Sequence, residues 1–284
     1  MKKITLLLLM IVTSLYVSAQ SYVPTADDLE HFRSTKTMIV MEENPMLEYN
    51  LIIKEVIEAE WKITDYEFVS YKDFDEKLRF NPDLSFLVMT QVSFEKDKTG
   101  ARYKFLHVLL GGDVLEVRQM KEICSVPLAY RNVEEGNYIY KLRTLLRFVQ
   151  NHIELITKDP SIIDANVFKY YNNNVKDIRN KTLYLVKDEL SSEINTIAKI
   201  KKVYPYKFKL STREEIEQLI IDRDPDVVFL HKVGPEGTHL KARCYKVIIG
   251  ASDANFYYFD YHMIDNKKPD GLLEKDLKRM AKGK

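Results

Sequence analysis

Short apolar runs and amphipathic stretches alternate along the chain, and the alternation predicts its elements. Residues 37–41 form an apolar run of strand type. Asn44-Pro45 then reads as a helix start, with Asn as N-cap and Pro at the first helical position. Tyr49, Ile52, Ile53, Val56 and Ile57 recur on one stripe while Lys54, Glu55 and Glu58 turn away, which predicts an amphipathic helix lying on a sheet. A strand over 66–69 follows, then a second helix opened by Ser70-x-x-Asp73. Pro82-Asp83 turns the chain into an apolar run over 84–92, and Lys96-Asp97-Lys98-Thr99-Gly100 makes the hairpin beyond it. A further strand is expected over 114–123. A helix over 138–157 closes the series, with Leu142, Leu145, Leu146, Val149, Ile153 and Ile156 on its apolar face.

The same series then returns. Lys36-Thr37-Met38-Ile39-Val40 recurs as Lys181-Thr182-Leu183-Tyr184-Leu185, and Tyr66-Glu67-Phe68 as Tyr206-Lys207-Phe208. Asn81-Pro82-Asp83-Leu84 recurs as Asp224-Pro225-Asp226-Val227, and Ala101-Arg102-Tyr103-Lys104 as Ala242-Arg243-Cys244-Tyr245-Lys246. Four matches in one order, each about 140 to 145 residues apart, indicate an internal duplication. In the second copy Leu190, Ile194, Ile197 and Ala198 hold the helical stripe, Pro205 stops it, and Ser211-x-x-Glu214 opens the next helix. A hairpin through Gly234-Pro235-Glu236-Gly237, a strand over 256–264 and a helix over 271–281 complete it. The fold class is therefore α/β with a mixed sheet, as two tandem β-α-β-α-β-β-β-α repeats. The repeats occupy 20–157 and 181–284, with 158–180 as a linker containing Tyr171-Asn172-Asn173-Asn174. Asp177-Ile178-Arg179-Asn180 echoes the lead-in from Asp28 to Arg33, so the lead-in belongs to the repeat and is ordered.

Residues 1–19 carry a different pattern. Lys2-Lys3, an apolar run from Ile4 to Val12 and Val17-Ser18-Ala19 give the order of a secretory signal cleaved near Ala19. The run is shorter than the roughly 20 residues a permanent anchor needs, so no transmembrane segment is expected after cleavage. The expected location is the periplasm or the cell exterior. Cys124 and Cys244 fit an oxidising compartment as a disulfide, and equally as two buried free thiols.

The element order resembles the fold shared by curli-secretion CsgG-type proteins, the amino-terminal domain of TolB and LpoB-type activators of peptidoglycan synthases. The first strand closing near Glu42, the Asn44-Pro45 helix start, Pro82-Asp83-Leu84-Ser85-Phe86-Leu87 and Val114-Leu115-Glu116-Val117 carry the resemblance. It implies a non-catalytic adaptor in the cell envelope. The chain has neither a lipidated Cys nor the Asp-x-x-Thr-Gly signature in its last hairpin.

Composition narrows the chemistry. The 284 residues hold 43 Lys+Arg against 42 Asp+Glu, and loss of Lys2 and Lys3 leaves 41 against 42, a net charge of −1. That balance gives no broad attraction for nucleic acid. Glycine is scarce, and phosphate loops, G-x-S-x-G, H-E-x-x-H and C-x-x-C are absent from the sequence, so no cofactor or metal is expected. His231 and His239 flank the second hairpin, but a four-residue turn would point their rings to opposite faces. Asp260 and His262 share a strand face as an acid–base candidate, and Glu42-Glu43 and Asp188-Glu189 stand at equivalent places after the first strands. Phe256, Tyr257, Tyr258, Asp260, Tyr261 and His262 form the candidate interaction surface, since aromatic rings occupy both faces of that strand. Its partner is the other repeat, an envelope protein, a glycan, or a second copy in a homo-oligomer. The expected function is an exported, non-catalytic interaction protein. The alternatives are a glycan- or peptidoglycan-binding module and an envelope-polymer hydrolase.

Overall fold

The structure is a computed structural model that describes residues 22–163, 167–236 and 241–283. The signal segment and His239 lie outside them. Helix α1 (Ala26–Ser34) leads in, capped by Thr25, whose hydroxyl accepts from Asp28 N while Asp28 reaches back to Thr25 N. The first half then runs β1 (Lys36–Met41), α2 (Glu48–Glu60), β2 (Tyr66–Ser70), α3 (Tyr71–Glu76), β3 (Leu84–Val92), β4 (Tyr103–Leu110), β5 (Lys121–Tyr130) and α4 (Leu142–Lys158). After α5 (Val167–Asn172) come β6 (Thr182–Val186), α6 (Ile197–Val203), β7 (Phe208–Ser211), α7 (Arg213–Ile221), β8 (Val227–Val233), β9 (Arg243–Gly250), β10 (Phe256–Met263) and α8 (Glu274–Lys282). Mixed α/β architecture is thus present in both halves.

Two five-stranded sheets result, ordered β2-β1-β3-β4-β5 and β7-β6-β8-β9-β10. In each, the first-entered strand lies parallel to its two neighbours, and the last three strands are antiparallel. The halves share order and strand direction. Edge strands are β2 and β5 in one sheet, β7 and β10 in the other.

Local signals displace several predicted boundaries. Helix α2 begins at Glu48, not at Pro45, because Asn44 spends its side chain on Met46 N (3.0 Å) and its carbonyl on Leu47 N (3.2 Å), closing a separate turn. The strand expected over 114–123 lies at 121–130. Its forerunner is a loop held by Arg79, whose guanidinium donates to the carbonyls of Val114 (2.7 Å) and Leu115 (3.0 Å), leaving Leu115 86% exposed. In the second half α6 keeps only the end of the predicted stripe, since Leu190 leaves to bridge Leu272. Helix α7 is capped by Thr212, which accepts from Glu215 N, while Ser211 stays in β7. Ser70 does cap α3, accepting from Asp73 N.

One large hydrophobic cluster spans both halves, and each half has a smaller cluster of its own. The first turns of helix α4, as far as Gln150, are buried nearly all round, because the helix covers its own sheet and also reaches the second half. Phe148 stacks on Phe256 at 3.5 Å and 4°, and the Arg147 guanidinium donates to the carbonyls of Ala251 (2.7 Å) and Ser252 (3.1 Å). Lys141 and Glu189 form a fully internal ion pair between the halves. Glu60 binds Arg143 of its own half and Arg223 of the other. Residues 172–174 are folded onto the second half: Asn172 donates to Phe259 O (3.0 Å) and accepts from Phe259 N (2.7 Å), and Asn174 donates to Phe256 O (3.0 Å). These amides satisfy the free edge of β10 as a neighbouring strand would.

Candidate functional site

Strand parity builds the site. Alternation in β4 puts Tyr103, Phe105 and His107 on one face, and β5 sets Pro127 beside Phe105 and Ser125 beside His107. In β10 a register shift between Phe256 and Tyr258 exchanges the faces, so Phe256, Phe259 and Tyr261 come to look the same way. Arg243 and Tyr245 of β9 stand beside them. Between these faces lies a cavity of about 1060 Å³, with Phe148, His152 and Ile156 of α4 and Phe168 and Tyr171 of α5 on its walls. Phe168 stacks on Phe259 at 3.9 Å, and Tyr245 meets Phe105 at 6.2 Å. The lining is predominantly aromatic and aliphatic.

Several of its polar groups are tied to one another, while His107 Nε2 is buried without a partner among the described residues. His107 Nδ1 donates to Glu122 Oε2 (2.7 Å), and Ser125 Oγ donates to Glu122 Oε1 (2.8 Å). Burial opposes ionisation of Glu122, but these donors prevail and hold its carboxyl below the ordinary range. The carboxylate therefore sits between serine and histidine. Nucleophilic catalysis needs the imidazole in that middle place, so this trio does not activate Ser125. His152 Nδ1 hydrogen-bonds the Tyr171 hydroxyl (2.7 Å), and burial lowers its pKa to about 4, which keeps it neutral. Arg243 grips Asp97 through two hydrogen bonds (2.6 and 2.8 Å) and lies 3.7 Å over the Phe94 ring, pinning the first hairpin to the second half.

The candidate strand surface divides between two environments. Phe256 and Tyr261 line the cavity with Phe259. Tyr258, Asp260 and His262 face α8 instead. There the Tyr258 hydroxyl donates to Asp276 (2.8 Å), Asp260 pairs with Arg279 (3.0 Å), and His262 Nε2 donates to Pro269 O (2.9 Å). Asp260 and His262 thus share a face but bind different partners. Tyr257 donates to Asp253 (2.5 Å). His231 is buried and donates to Pro127 O (2.9 Å), a bond between the halves. Of the acidic pairs, Glu189 is internal beside Lys141, Asp188 is exposed 3.8 Å from Arg213, and burial, foremost, raises the Glu42 carboxyl.

The disulfide alternative is not realised: Cys124 and Cys244 are both buried free thiols. Cys124 lines the cavity, whereas Cys244 Sγ accepts from Gly271 N (3.4 Å) on the α8 side of its sheet, so the two point into different environments. Burial pushes both thiols up, away from reactive thiolate. Among the described residues no cluster of three or more His, Cys, Asp or Glu is placed to hold a metal ion, and no helix is long and apolar enough to cross a membrane.

Phe105, His107, Glu122 and Ser125 had no distinguishing sequence signal. Their only trace is the i, i+2 spacing of Phe105 and His107, which any strand supplies. The chain matches no family model, no curated protein and no solved structure.

Proposed function

We propose that this is an exported, non-catalytic binding protein of the bacterial cell envelope that encloses a largely apolar small molecule between its two halves. The observation supporting this reading is the aromatic cavity of about 1060 Å³ between the β4–β5 and β9–β10 faces. Its volume suits a ligand of drug or lipid-fragment size. Glu122, Ser125, His152 and Tyr171 are consumed by hydrogen bonds within the wall. Beside them only His107 Nε2 is buried without a partner among the described residues, which favours a largely apolar ligand over a glycan rich in hydroxyls. The resemblance to envelope adaptors rests on element order and adds only the compartment.

Titration with the fluorescent apolar probe N-phenylnaphthylamine tests this. A saturable, blue-shifted signal is expected from the native protein. Phe105→Glu should weaken it by about tenfold or more, because a carboxylate among rings must be desolvated when the probe enters. Leu115→Glu, on an exposed loop, should leave it unchanged. Absence of saturable binding, or equal binding by Phe105→Glu, would contradict the proposal.

A further inference from the structure

The two halves differ in charge at the outer edge of their parallel strands. Residues 197–210 contain Lys199, Lys201, Lys202, Lys207 and Lys209 and no acidic residue. In the first half the corresponding edge strand, β2, carries Glu67, paired with Lys36 at 2.7 Å. The lysines are therefore not demanded by the fold. Lys209 binds Glu215, and Lys199 is held by Ser192 O and Asn195. Lys201, Lys202 and Lys207 have no ion-pair partner among the described residues.

Strand β7 pairs only with β6. Leu183 N donates to Lys207 O (3.1 Å), so the backbone of Lys207 and, two residues on, Lys209 is directed at β6. In a parallel ladder the intervening residues point their N–H and C=O the other way. Phe208 and Leu210 thus offer donors and acceptors along the free edge. A groove of about 370 Å³ runs there, with Tyr206, Phe208 and Leu210 as its apolar side and Lys201 and Ile197 of α6 opposite. Ile197 is 52% exposed.

We propose that this groove takes an extended acidic peptide, which adds to β7 as a sixth strand. Main-chain hydrogen bonds to Phe208 and Leu210 supply the docking, apolar side chains enter the groove on the Phe208 and Leu210 face, alternate carboxylates meet Lys207 on the opposite face, and Lys201 adds positive charge at the rim of the groove. Lysines on an edge strand ordinarily prevent pairing between copies of one protein. The same charge admits a strand of opposite sign.

Fluorescence anisotropy of a labelled peptide alternating Glu and Val, added to the full-length mature protein, tests the proposal. Saturable binding is expected, and the double variant Lys201→Glu/Lys207→Glu should weaken it by about tenfold or more, since like charges then face one another. Both lysines are exposed, so an unchanged thermal midpoint will show that the variant is folded. N-methylation of alternate peptide amides should abolish binding. No binding, binding unaffected by N-methylation, or binding only to vesicles containing phosphatidylglycerol would overturn it. None of these results depends on whether the inter-half cavity holds a ligand.

Discussion

Single side chains determine how the protein responds to acid. Burial holds His231 near a pKa of about 3 and His152 near about 4, against 6.5 for an ordinary histidine. Above pH 6.5 both rings are neutral whether the chain is folded or not, and they add no pH dependence. Between pH 6.5 and about 4 only the unfolded chain binds these protons, so stability falls as pH falls. At pH 5 each ring should cost about 2 kcal/mol. Urea unfolding at pH 7 and pH 5 should show that drop, and His152→Leu should remove roughly half of it. A stability independent of pH across this range would contradict the burial of these rings. Arg147 invites a second test. Replacing it by Met keeps much of its packing but strips the carbonyls of Ala251 and Ser252 of their donor, at about 3 kcal/mol in urea unfolding. In sequence His231 was visible only as half of a weak metal pair. Its bond to Pro127 joins residues on separate strands of separate sheets, which no local pattern encodes.

Elements were legible where periodicity had no competitor. The stripe of α4 and the apolar run of β3 are long and continuous, and they lie where the pattern put them. Boundaries failed where a side chain found a better partner than the helix or ladder. Asn44 closes its own turn, Arg79 ties down 114–115, and Leu190 bridges to Leu272. Of the candidate site little was legible: among the six residues singled out on β10, Phe256 and Tyr261 line the cavity. The β10 bulge, which turns Tyr258, Asp260 and His262 to the other face, has no sequence mark. The polar run 172–174 looked like a linker yet supplies the amides that close the edge of β10. Asn172→Ala should therefore speed hydrogen exchange at Phe259 N–H by about tenfold or more, the loss of roughly one buried hydrogen bond, while amides of β3 stay protected. Unchanged exchange at Phe259 would show that another group covers that edge.

At the scale of the molecule, two sheets of identical strand order are fused by α4, by Arg147 and by the internal pair Lys141–Glu189. Burial, foremost, lowers the Lys141 ammonium pKa, and Glu189 opposes that shift. Lys141→Met would strand the Glu189 charge and should cost about 3–5 kcal/mol, much of it recovered by Lys141→Met/Glu189→Leu. If unfolding is followed at separate probes in each half, the transitions should coincide, because the largest hydrophobic cluster spans both. The same fusion leaves the aromatic cavity between the halves, and the proposed function stands or falls on its occupancy. The most direct measurement is a crystal structure of the protein grown with N-phenylnaphthylamine. The probe's rings are predicted to lie among Phe105, Tyr245 and Phe259, with α4 and α5 closed over them. Density for the probe only on the outer surface, with that space collapsed or filled by side chains, would contradict it.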